Sequence, residues 1–403
     1  MNKNEALKSG VDLTTELFGR KFTNPIILGS GTLGDSIERV KSLLQCNTGG
    51  IIPRTTRLHY APGRDHHPSP HLDIIPGKNM RNAEWTGATI DYWRPSLENL
   101  SKSNRVMMSV SGRDIEGCLS VCQELDQYNF PFLEINISCA HSNEAHGFIT
   151  RNSEHIRQLI RTLKDGGIKT PIAIKLGHSD FIVQLAKVAE ESGADAIVAI
   201  NTVGPVIDFD ISSGKPVFTL GISGGKGGLS GEAIFNTALT DVMDISKHLS
   251  IPVIGCGGVS RAEDVVKMIM VGASMVEVYT AAHLHGKKAP EFLDKLINNF
   301  GEWLKGNGYS QVSQIKDLAL NSVSNNNQMI PLIPQLKNEL CMGCSKCASI
   351  CLEEGVISMV NGGIEERNGK IHPEIKSDNC IGCGACVSVC PTNALFLEEL
   401  VLK

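Results

Sequence analysis

The chain has 403 residues, of which 41% are hydrophobic and 20% are charged, so it is long enough for one large globular domain with an appendage. Its formal net charge of -5 gives no electrostatic reason to expect a nucleic acid or a membrane surface as a partner. Residues 1–19 contain no apolar signal-peptide core, and no apolar run reaches about 18 residues, so we expect a cytoplasmic protein without a membrane span.

Eight short apolar runs alternate with amphipathic stretches between Thr23 and about His285. In chain order they read NPIILGSG, GGIIPRT, RVMMSVSG, FLEINISC, PIAIKLG, AIVAINTV, PVIGCGGV and MVEVYTA. Strands that are apolar on both faces and joined by helical stretches, such as SEHIRQLIRTLKDGG, are typical of a parallel sheet covered on both sides. Eight such units in about 260 residues predict a closed (β/α)8 TIM barrel rather than an open doubly wound sheet.

The first run leads into Gly29-Ser30-Gly31-Thr32-Leu33-Gly34, which has the spacing of a dinucleotide-binding fingerprint. A dinucleotide fold would need a second strand that ends in Asp or Glu about 20 residues later, whereas GGIIPRT ends at Arg54 and Thr55. Because further strand–helix units follow, we interpret Ser30 and Gly31 as the first loop of the barrel. An NAD(P) site in this loop is the alternative.

Two longer interruptions, Leu58–Trp93 and Gly204–Ser230, follow the second and sixth predicted strands. In a barrel both would lie over the C-terminal mouth, where active sites are built. The first contains a His-rich stretch, Leu58–Asp73, which is a solvated loop, a metal site or a lid specific to the substrate. The second leads into a glycine-rich loop, Gly224–Phe235, that fits either a cofactor cradle or a flexible lid.

Strands 4 and 5 are predicted to end in reactive side chains. The sequence INISCAHSNEAHG places Asn136, Ser138 and Cys139 at the end of strand 4, and Lys175 lies near the end of strand 5. Catalytic groups of such barrels lie at this end of the strands. The Cys139 thiol could exchange a proton with a substrate, and the Lys175 ammonium could stabilise negative charge on a cofactor. The alternatives are a buried structural cysteine and a lysine whose head reaches solvent.

The loops after strands 7 and 8 suit a phosphate group. Gly257 and Gly258 would let the backbone approach a phosphate, and Tyr279 and Thr280 would supply donors. In TIM barrels, phosphate is commonly bound by these two loops. Glycines that serve only a tight turn are the alternative.

A polar stretch followed by prolines begins at Asn321 and predicts a linker over residues 321–338, between a barrel domain of residues 1–320 and a small domain of residues 339–403. The chain has thirteen cysteines, and eight of them lie in this small domain. They form two Cys-x2-Cys-x2-Cys-x3-Cys runs, as in bacterial two-cluster ferredoxins, in which the fourth cysteine of each run ligates the other cluster. The expected ligands are Cys341, Cys344, Cys347 and Cys390 for one [4Fe–4S] cluster, and Cys380, Cys383, Cys386 and Cys351 for the other.

Zinc is the alternative metal for these cysteines, but structural zinc sites use isolated pairs of ligands with four ligands per site. Iron–sulfur clusters pass single electrons. The barrel therefore needs a group that converts between two-electron and one-electron chemistry, and a flavin is the usual one.

These motifs, in this order, resemble those of the dihydroorotate dehydrogenase superfamily. The similarity covers nearly the whole chain and rests on NISCAH, IKLG, INTV, GGLSGEAI, IGCGGV and VYTA, with MRNAEWTGATIDYW after strand 2. The pattern is most similar to the dihydropyrimidine dehydrogenase branch, in which a bacterial subunit joins an FMN barrel to a C-terminal two-cluster ferredoxin. The resemblance therefore implies FMN and two [4Fe–4S] clusters as cofactors.

The resemblance also implies roles for individual residues. The implied FMN contacts are Ser30, Gly31, Arg54, Thr55, Asn136, Lys175 and Asn201, with Gly231, Gly257, Gly258, Tyr279 and Thr280 at the phosphate. The implied substrate contacts are Asn82, Glu84, Asn136, Asn201 and Thr202. The implied catalytic residues are Cys139 as general acid, Ser138 and Lys175. Amide and carboxylate side chains suit a ring that alternates N–H and C=O groups.

Two positions depart from the family pattern. Arg54 stands where the family usually has Lys, and Ala140 stands where it usually has Pro after the catalytic cysteine. Arginine keeps the charge but changes the geometry of its donors. These differences bear on the substrate more than on the type of reaction.

The resemblance favours an oxidoreductase that interconverts uracil or thymine with its 5,6-dihydro form, using FMN for hydride transfer and the clusters for electron relay. The alternatives are a dihydroorotate dehydrogenase or orotate reductase, a reductase of another cyclic conjugated substrate, and a redox-inactive or pure electron-carrier protein. Glu84 argues against orotate because it would repel the carboxylate of that substrate. The expected electron donor is an FAD- and NAD(P)H-binding partner subunit or ferredoxin, within a homo- or hetero-oligomer.

Overall fold

The computed structural model describes residues 10–59, 71–75, 78–81, 88–112, 114–138, 152–217, 225–322, 332–361 and 371–399. The chain divides into two compact units, Met1–Val323 and Ser324–Lys403. Among the helices of the described ranges, none combines the length and the apolar character that crossing a membrane requires.

The first unit is built on eight strands that form one parallel sheet. They are β1 (Ile26–Leu28), β2 (Gly50–Ile51), β3 (Met108–Val110), β4 (Leu133–Asn136), β5 (Ile172–Leu176), β6 (Ala196–Ala199), β7 (Val253–Cys256) and β8 (Ala273–Val278). Hydrogen bonds join them in the order β2-β1-β8-β7-β6-β5-β4-β3. The two edges meet at a parallel bridge between Ile51 and Val106, where the Ile51 N–H donates to the carbonyl of Arg105 at 2.7 Å. The predicted barrel is confirmed.

Helices on the outside of the sheet alternate with the strands. They are α1 (Ile37–Leu43), α2 (Leu97–Ser101), α3 (Ile115–Leu125), α4 (Ser153–Asp165), α5 (Ile182–Glu191), α6 (Phe235–His248), α7 (Ala262–Met270) and α8 (Ala289–Gly306). The carboxylate of Asp114 accepts from the N–H of Gly117 at 2.7 Å and so starts α3 by satisfying a free backbone donor. One stripe of α4 is buried at helical spacing: Ile156, Leu159, Ile160 and Leu163.

Alternate residues of the strands face opposite sides of the barrel wall. On β5, Ile172 and Ile174 pack outward with the helices, whereas Ala173 belongs to the barrel interior. The interior is filled by apolar side chains: Ile27, Ile52, Met107, Phe132, Ala173, Ala196, Val198, Ile254 and Met275. An N-terminal hairpin, Thr15–Leu17 with Arg20–Phe22, adds Leu17 and Phe22 to this interior cluster. The barrel is therefore a packed core, and the groups that carry chemistry lie at its rim.

The two long interruptions pair with each other. Strand Lys78–Arg81 from the first is antiparallel to strand Lys226–Gly231 from the second, and His71–Ile75 and Val203–Ile207 complete a four-stranded sheet. A hairpin of Phe209–Asp210 and Lys215–Pro216 follows. The remaining short helices of this unit are Ile90–Trp93, Thr280–Leu284 and Leu318–Ser322. Because Val203–Ile207 follows β6 closely, this sheet lies on the side of the barrel where the strands end.

The described residues of the second unit form two antiparallel ribbons and two short α-helices, with 3-10 turns at Asn338–Leu340 and Ser377–Asn379. Leu332–Leu336 pairs with Leu395–Glu399, and Ile357–Asn361 pairs with Ile371–Ile375. The helices Lys346–Ile350 and Ala385–Ser388 each carry the third cysteine of a run. Its first strand lies inside the predicted linker, so this unit begins before the predicted boundary at residue 339. Pro334 suggested a linker, but a two-stranded ribbon tolerates proline on an edge strand.

The contact that closes the barrel, between β2 and the segment before β3, yields a testable prediction. The Arg105 guanidinium donates to the carbonyls of Leu44, Cys46 and Thr48 at 2.6–3.1 Å, beside the bridge that joins β2 to the segment before β3. Arg105→Lys keeps the charge but cannot reach three carbonyls, so we expect the free energy of unfolding to fall by about 2 kcal/mol.

The measurement is urea denaturation followed by tryptophan fluorescence. All three tryptophans, Trp85, Trp93 and Trp303, belong to the first unit, so the signal reports on the barrel. The control is Arg161→Lys on an exposed position of α4, which should change little. Equal effects of the two substitutions would contradict the role given to Arg105.

Candidate active site

A cavity lies where the barrel strands end. It has a volume of about 600 Å³, including the space at its solvent-open mouth. Many of the predicted cofactor and substrate contacts line it: Ser30, Lys175, Asn201, Thr202, Gly231, Gly257, Gly258, Tyr279 and Thr280. The closed barrel thus brings residues from the loops after β1, β6, β7 and β8 to one place, together with Lys175 from β5.

Hydroxyl and amide groups link the first strands of the rim. Thr55 Oγ1 lies 3.3 Å from Ser30 Oγ and 2.9 Å from Ser109 Oγ, and it accepts from Asn136 Nδ2 at 3.2 Å. These contacts connect the ends of β1, β2, β3 and β4. Sequence reasoning found three of these residues and missed Ser109, which lies inside β3 rather than in the loop that follows a strand.

The same network continues across the mouth to β5 and β6. Asn201 Nδ2 donates to Asn136 Oδ1 at 3.1 Å and to Ser138 Oγ at 3.3 Å. Ser138 Oγ in turn donates to the carbonyl of Lys175 at 2.8 Å. The side-chain oxygen of Asn201, Oδ1, accepts from the backbone N–H of Thr202 at 2.8 Å. This bond fixes the orientation of the Asn201 side-chain amide. Asn136 and Asn201 are therefore held in defined positions beside the cavity.

The Lys175 side chain points into the barrel and is only 5% exposed. Its Nζ donates to Glu134 Oε2 at 2.9 Å and to Glu277 Oε2 at 2.6 Å, and both carboxyl groups are buried. Lys175 is thus a buried ion-paired group rather than a lysine that reaches solvent. The positive charge is fixed at the wall of the cavity by one carboxyl from β4 and one from β8.

Sequence reasoning missed Glu134 and Glu277, although a signal was present. In a strand, residues two apart share a face. Glu134 precedes Asn136 by two positions, and Glu277 precedes Tyr279 by two positions. Both therefore share the inward face with residues already assigned to the mouth.

Burial dominates the protonation of this cluster. Burial, and then the neighbouring Glu134, raise the pKa of Glu277 to about 8. Burial likewise raises the pKa of the Cys256 thiol well above its usual value, against the opposing charge of Lys175. Burial alone would lower the pKa of Lys175, but the acidic groups of Cys256, Glu134 and Glu277 outweigh it and raise that pKa. Both directions favour a charged Lys175 and a protonated Glu277 at neutral pH.

The glycines after β7 have a packing role. Gly257 and Gly258 adopt φ values of 129° and 74°, and a Cβ at Gly258 would lie 2.7 Å from the backbone of Phe235 at the start of α6. Gly231 also has a positive φ, of 81°. Thr280 Oγ1 donates to Ser230 Oγ at 3.1 Å and ties the short helix after β8 to this glycine strand. The result is a partly buried rim of backbone and hydroxyl groups beside the cavity, a donor set that fits a phosphate group.

Tyr279 and Gly31 contact each other. A Cβ at Gly31 would overlap the Tyr279 ring, and the Tyr279 hydroxyl lies 2.7 Å from Thr32 Oγ1. The Tyr279 side chain is therefore turned toward the loop after β1, and the residue also lines the cavity with Gly257, Gly258 and Thr280. Gly31 is needed to give the ring room.

Several predicted residues lie outside the described residues: Asn82, Glu84, Cys139 and Ala140, with most of the His-rich stretch. Their neighbours along the chain are described. Arg81 ends a strand paired with the glycine strand Lys226–Gly231, and Ser138 contacts Lys175 and Asn201 at the mouth. Arg54 is described and buried at the end of β2.

The eight cysteines of the second unit line two cavities. One, of about 380 Å³, is lined by Cys351, Cys380, Cys383 and Cys386. The other, of about 330 Å³, is lined by Cys341, Cys344, Cys347 and Cys390. Each set combines three cysteines of one run with the last cysteine of the other run, which is the expected grouping.

The turns around these cavities repeat the same geometry. Gly343 and Gly382 lie inside the two runs with φ values of 73° and 68°. A Cβ at either glycine would lie 2.7 Å from a backbone carbonyl, that of Ile371 or Leu332. Each turn therefore requires glycine for the loop to close around its cavity.

Comparison with known proteins places this architecture in a family. Residues 12–300 match the family model for dihydroorotate dehydrogenase, and residues 340–394 match the model for a 4Fe-4S dicluster domain. Because the first match spans more than half of the chain, the chain belongs to the dihydroorotate dehydrogenase family. It is accordingly an oxidoreductase acting on a CH–CH bond.

Three relatives illustrate the match. The dihydroorotate dehydrogenase B (NAD(+)) catalytic subunit of Pyrococcus abyssi is 30% identical over 311 residues, 76% of this chain and 99% of that protein. The protein of the same name from Thermococcus kodakarensis is 30% identical over 310 residues, 76% of this chain and 98% of that protein. That from Bacteroides fragilis is 28% identical over 314 residues, 75% of this chain and 97% of that protein.

These findings confirm the expected superfamily, but the relatives do not support the expected dihydropyrimidine dehydrogenase branch. The three relatives are named dihydroorotate dehydrogenases, and dihydroorotate dehydrogenase was an alternative function in the sequence analysis. Membership of an enzyme family also gives no support to the electron-carrier alternative.

The buried lysine yields a second prediction. Lys175→Met keeps the length of the side chain but leaves two buried carboxyl groups without their cation. At pH 8 we expect the free energy of unfolding to fall by about 3–5 kcal/mol. At pH 5 the loss should be smaller, because both carboxyl groups can then take up protons.

Lys164→Met is the matched control. Lys164 pairs with Asp195 at 2.6 Å, but both side chains are partly exposed, so removing this cation should change stability by under about 1 kcal/mol. The measurement is urea denaturation at both pH values. A loss that is equal for the two variants, or independent of pH, would contradict the buried cluster.

Proposed function

We propose that this chain is a flavoprotein that oxidises or reduces the C5–C6 bond of a pyrimidine ring and exchanges electrons through two [4Fe–4S] clusters. Dihydroorotate and orotate are the proposed substrate pair. The observation that carries the proposal is the buried Lys175 ammonium, which two carboxyl groups hold at the wall of a cavity lined by polar groups and glycine turns.

FMN fits this cavity by the chemistry of its donors. Lys175 would face the part of the flavin ring that gains negative charge on reduction, and Ser30 and Asn201 would donate to the ring edge. Gly231, Gly257, Gly258 and Thr280 would hold the phosphate with backbone and hydroxyl donors. Bound there, FMN would supply hydride transfer and the conversion between two-electron and one-electron steps.

The substrate would lie on the side of the cavity formed by the ends of β4 and β6. Asn136 and Asn201 are fixed by their mutual hydrogen bond, and the second N–H of Asn136 Nδ2 and a lone pair of Asn201 Oδ1 would serve a ring with C=O and N–H groups. Thr202, Asn82 and Glu84 would complete this set. Cys139, one residue beyond Ser138, would hold or accept the proton at the neighbouring ring carbon.

The relatives support dihydroorotate as the substrate. Three of them, with 28–30% identity, are named dihydroorotate dehydrogenase B catalytic subunits. Glu84 would repel the carboxylate of orotate, but Arg81 lies three positions before it on the same segment and can offset that charge.

A second candidate, the reduction of uracil or thymine, is favoured by one observation. The alignment with the Pyrococcus abyssi relative covers 99% of that protein but only 76% of this chain, so about a quarter of this chain has no counterpart there. A barrel with its own two-cluster module is the arrangement that resembles the dihydropyrimidine dehydrogenase branch.

Electron exchange would occur at the second unit. Each cluster would be held by four thiolates, three from one run and one from the other. The relatives are named as catalytic subunits of NAD(+)-dependent enzymes, which supports a partner subunit that binds FAD and NAD(P)H. Ferredoxin is the alternative electron donor.

A substrate screen tests the function. The full-length chain, purified without oxygen, should show flavin absorbance that bleaches on addition of dihydroorotate and bleaches more slowly, or not at all, with dihydrouracil and dihydrothymine. Faster bleaching by either of the latter would instead establish the second candidate. A protein without flavin absorbance would contradict both.

Cys139→Ala tests the proton donor. Loss of the thiol should lower turnover with the preferred substrate by at least about 100-fold, the scale of a general acid–base contribution. Flavin and iron content should stay at the level of the unchanged protein, as absorbance and iron analysis would show. Unchanged turnover would exclude Cys139 as the acid.

A further inference from the structure

Two buried oxygen atoms beside Lys175 lack a partner. Glu134 and Glu277 each use Oε2 to accept from Lys175, whereas no donor among the described residues reaches Oε1 of either carboxyl group. A buried acceptor without a hydrogen bond is unfavourable, and such atoms are rare in native structures. One proton on the pair would give these atoms a donor, because the side chains of Glu277 and Glu134 lie within hydrogen-bonding reach of each other.

The net charge of Lys175, Glu134 and Glu277 also favours one proton on the carboxyl pair. With both carboxyl groups ionised, one ammonium would face two negative charges in the barrel interior. One added proton makes the set neutral and gives a donor to the unpartnered oxygens. Two carboxyl groups that share a site generally keep one proton for this reason.

The backbone at Gly29 leaves space for the carboxyl group of Glu277. A Cβ at Gly29 would lie 2.9 Å from Glu277 Oε2, so the absence of a side chain there leaves room for this group. The other titratable groups that face Glu277 are Glu134 on β4, Lys175 on β5 and Cys256 on β7. The layer below them is apolar, with Phe132, Ala173, Ile254 and Met275.

We propose that Glu134 and Glu277 share one proton between their Oε1 atoms, and that this proton sets the net charge that the Lys175 cluster presents to the cavity. The two carboxyl groups hold Lys175 in position and affect the cavity only through Lys175. Loss of the proton at alkaline pH changes the cluster from neutral to a net negative charge. The direction of the Glu277 pKa, raised to about 8 by burial and by Glu134, agrees with this assignment.

The consequence for the cavity rests on the proposed function. A reduced flavin carries more negative charge than an oxidised one, so a bound flavin is harder to reduce once the pair has lost its proton. Reduction above about pH 8 therefore draws a proton from solvent onto the pair. The reduction potential of the bound flavin should fall more steeply with pH in that range than it does in a variant that cannot titrate.

The first test is infrared spectroscopy of the full-length protein, which needs no flavin. At pH 7 a buried carboxylic acid band that shifts in deuterium oxide should be present, and it should fade as the pH rises past about 8. Glu277→Gln, which keeps the shape of the side chain and its ability to donate, should lack this band. Glu190→Gln is the control, because Glu190 lies in α5 on the outside of the barrel and its carboxylate accepts from Ser250 Oγ.

The stability of the same variants gives a second readout. The pKa of Glu277 is higher in the folded chain than in the unfolded one, so its contribution is fully present below about pH 4.5 and is lost as the pH rises to about 8. Wild-type protein should therefore lose stability relative to Glu277→Gln across that window. Glu134→Gln should also remove the titration, which keeps the test open if Glu277→Gln folds poorly.

The outcomes separate this proposal from the proposed function. An acid band that is absent in wild type, or present and unaltered in both Glu277→Gln and Glu134→Gln, overturns the shared proton. A band that behaves as described establishes it, whether or not flavin is bound. If the band is present but the flavin potential follows the same pH slope in wild type and Glu277→Gln, the shared proton stands and the placement of FMN beside Lys175 fails.

Discussion

Closure of the parallel sheet is the constraint on which the rest of the barrel unit depends. Every neighbouring pair of the eight strands is parallel, so all strands end on one side. The bridge between Ile51 and Val106 turns that edge into a ring. A ring brings the ends of β1 and β5, which are far apart along the chain, to opposite walls of one cavity. Without closure, Ser30 and Lys175 would have no reason to share a site.

A buried charge cluster is the second determinant of the site. The interior below the rim is apolar, so a lysine placed there needs carboxyl partners to remain charged. Glu134 and Glu277 meet this requirement from two different strands. Burial, and then the charge of the neighbouring Glu134, raise the pKa of Glu277 to about 8. The same burial that fixes the lysine therefore makes the charge of its surroundings sensitive to pH.

The second unit is organised by a different principle. Its apolar core is small and includes two of the cysteines, Cys347 and Cys386. Two similar halves exchange their last cysteine, so each cavity is completed by both halves. Clusters bound in this way would join the halves covalently through metal, and small domains commonly depend on such added links. The relatives from Pyrococcus abyssi, Thermococcus kodakarensis and Bacteroides fragilis are covered almost completely by alignments that span about three quarters of this chain, so this chain is longer than each of them.

Hydrophobic periodicity and cysteine spacing were enough to determine much of this protein from sequence. Eight runs of mostly apolar residues specified eight strands, because a strand buried on both faces has few polar positions, and those few lie at the mouth of the barrel. The spacing of eight cysteines specified which thiols meet, because the cluster geometry constrains the turn between them. The family, too, was accessible from short motifs such as NISCAH and IGCGGV.

Only the tertiary structure decided how the rim residues interact. Lys175 was recognised as a charged residue at a strand end, but its partners lie 41 and 102 residues away along the chain. Glu134 and Glu277 are single charged residues within apolar runs, and the contact between the Tyr279 ring and Gly31 joins loops that are far apart along the chain. A sequence shows which side of a strand a residue occupies. The distance between side chains of different strands is set by the closed barrel, and the protonation of the cluster follows from that distance.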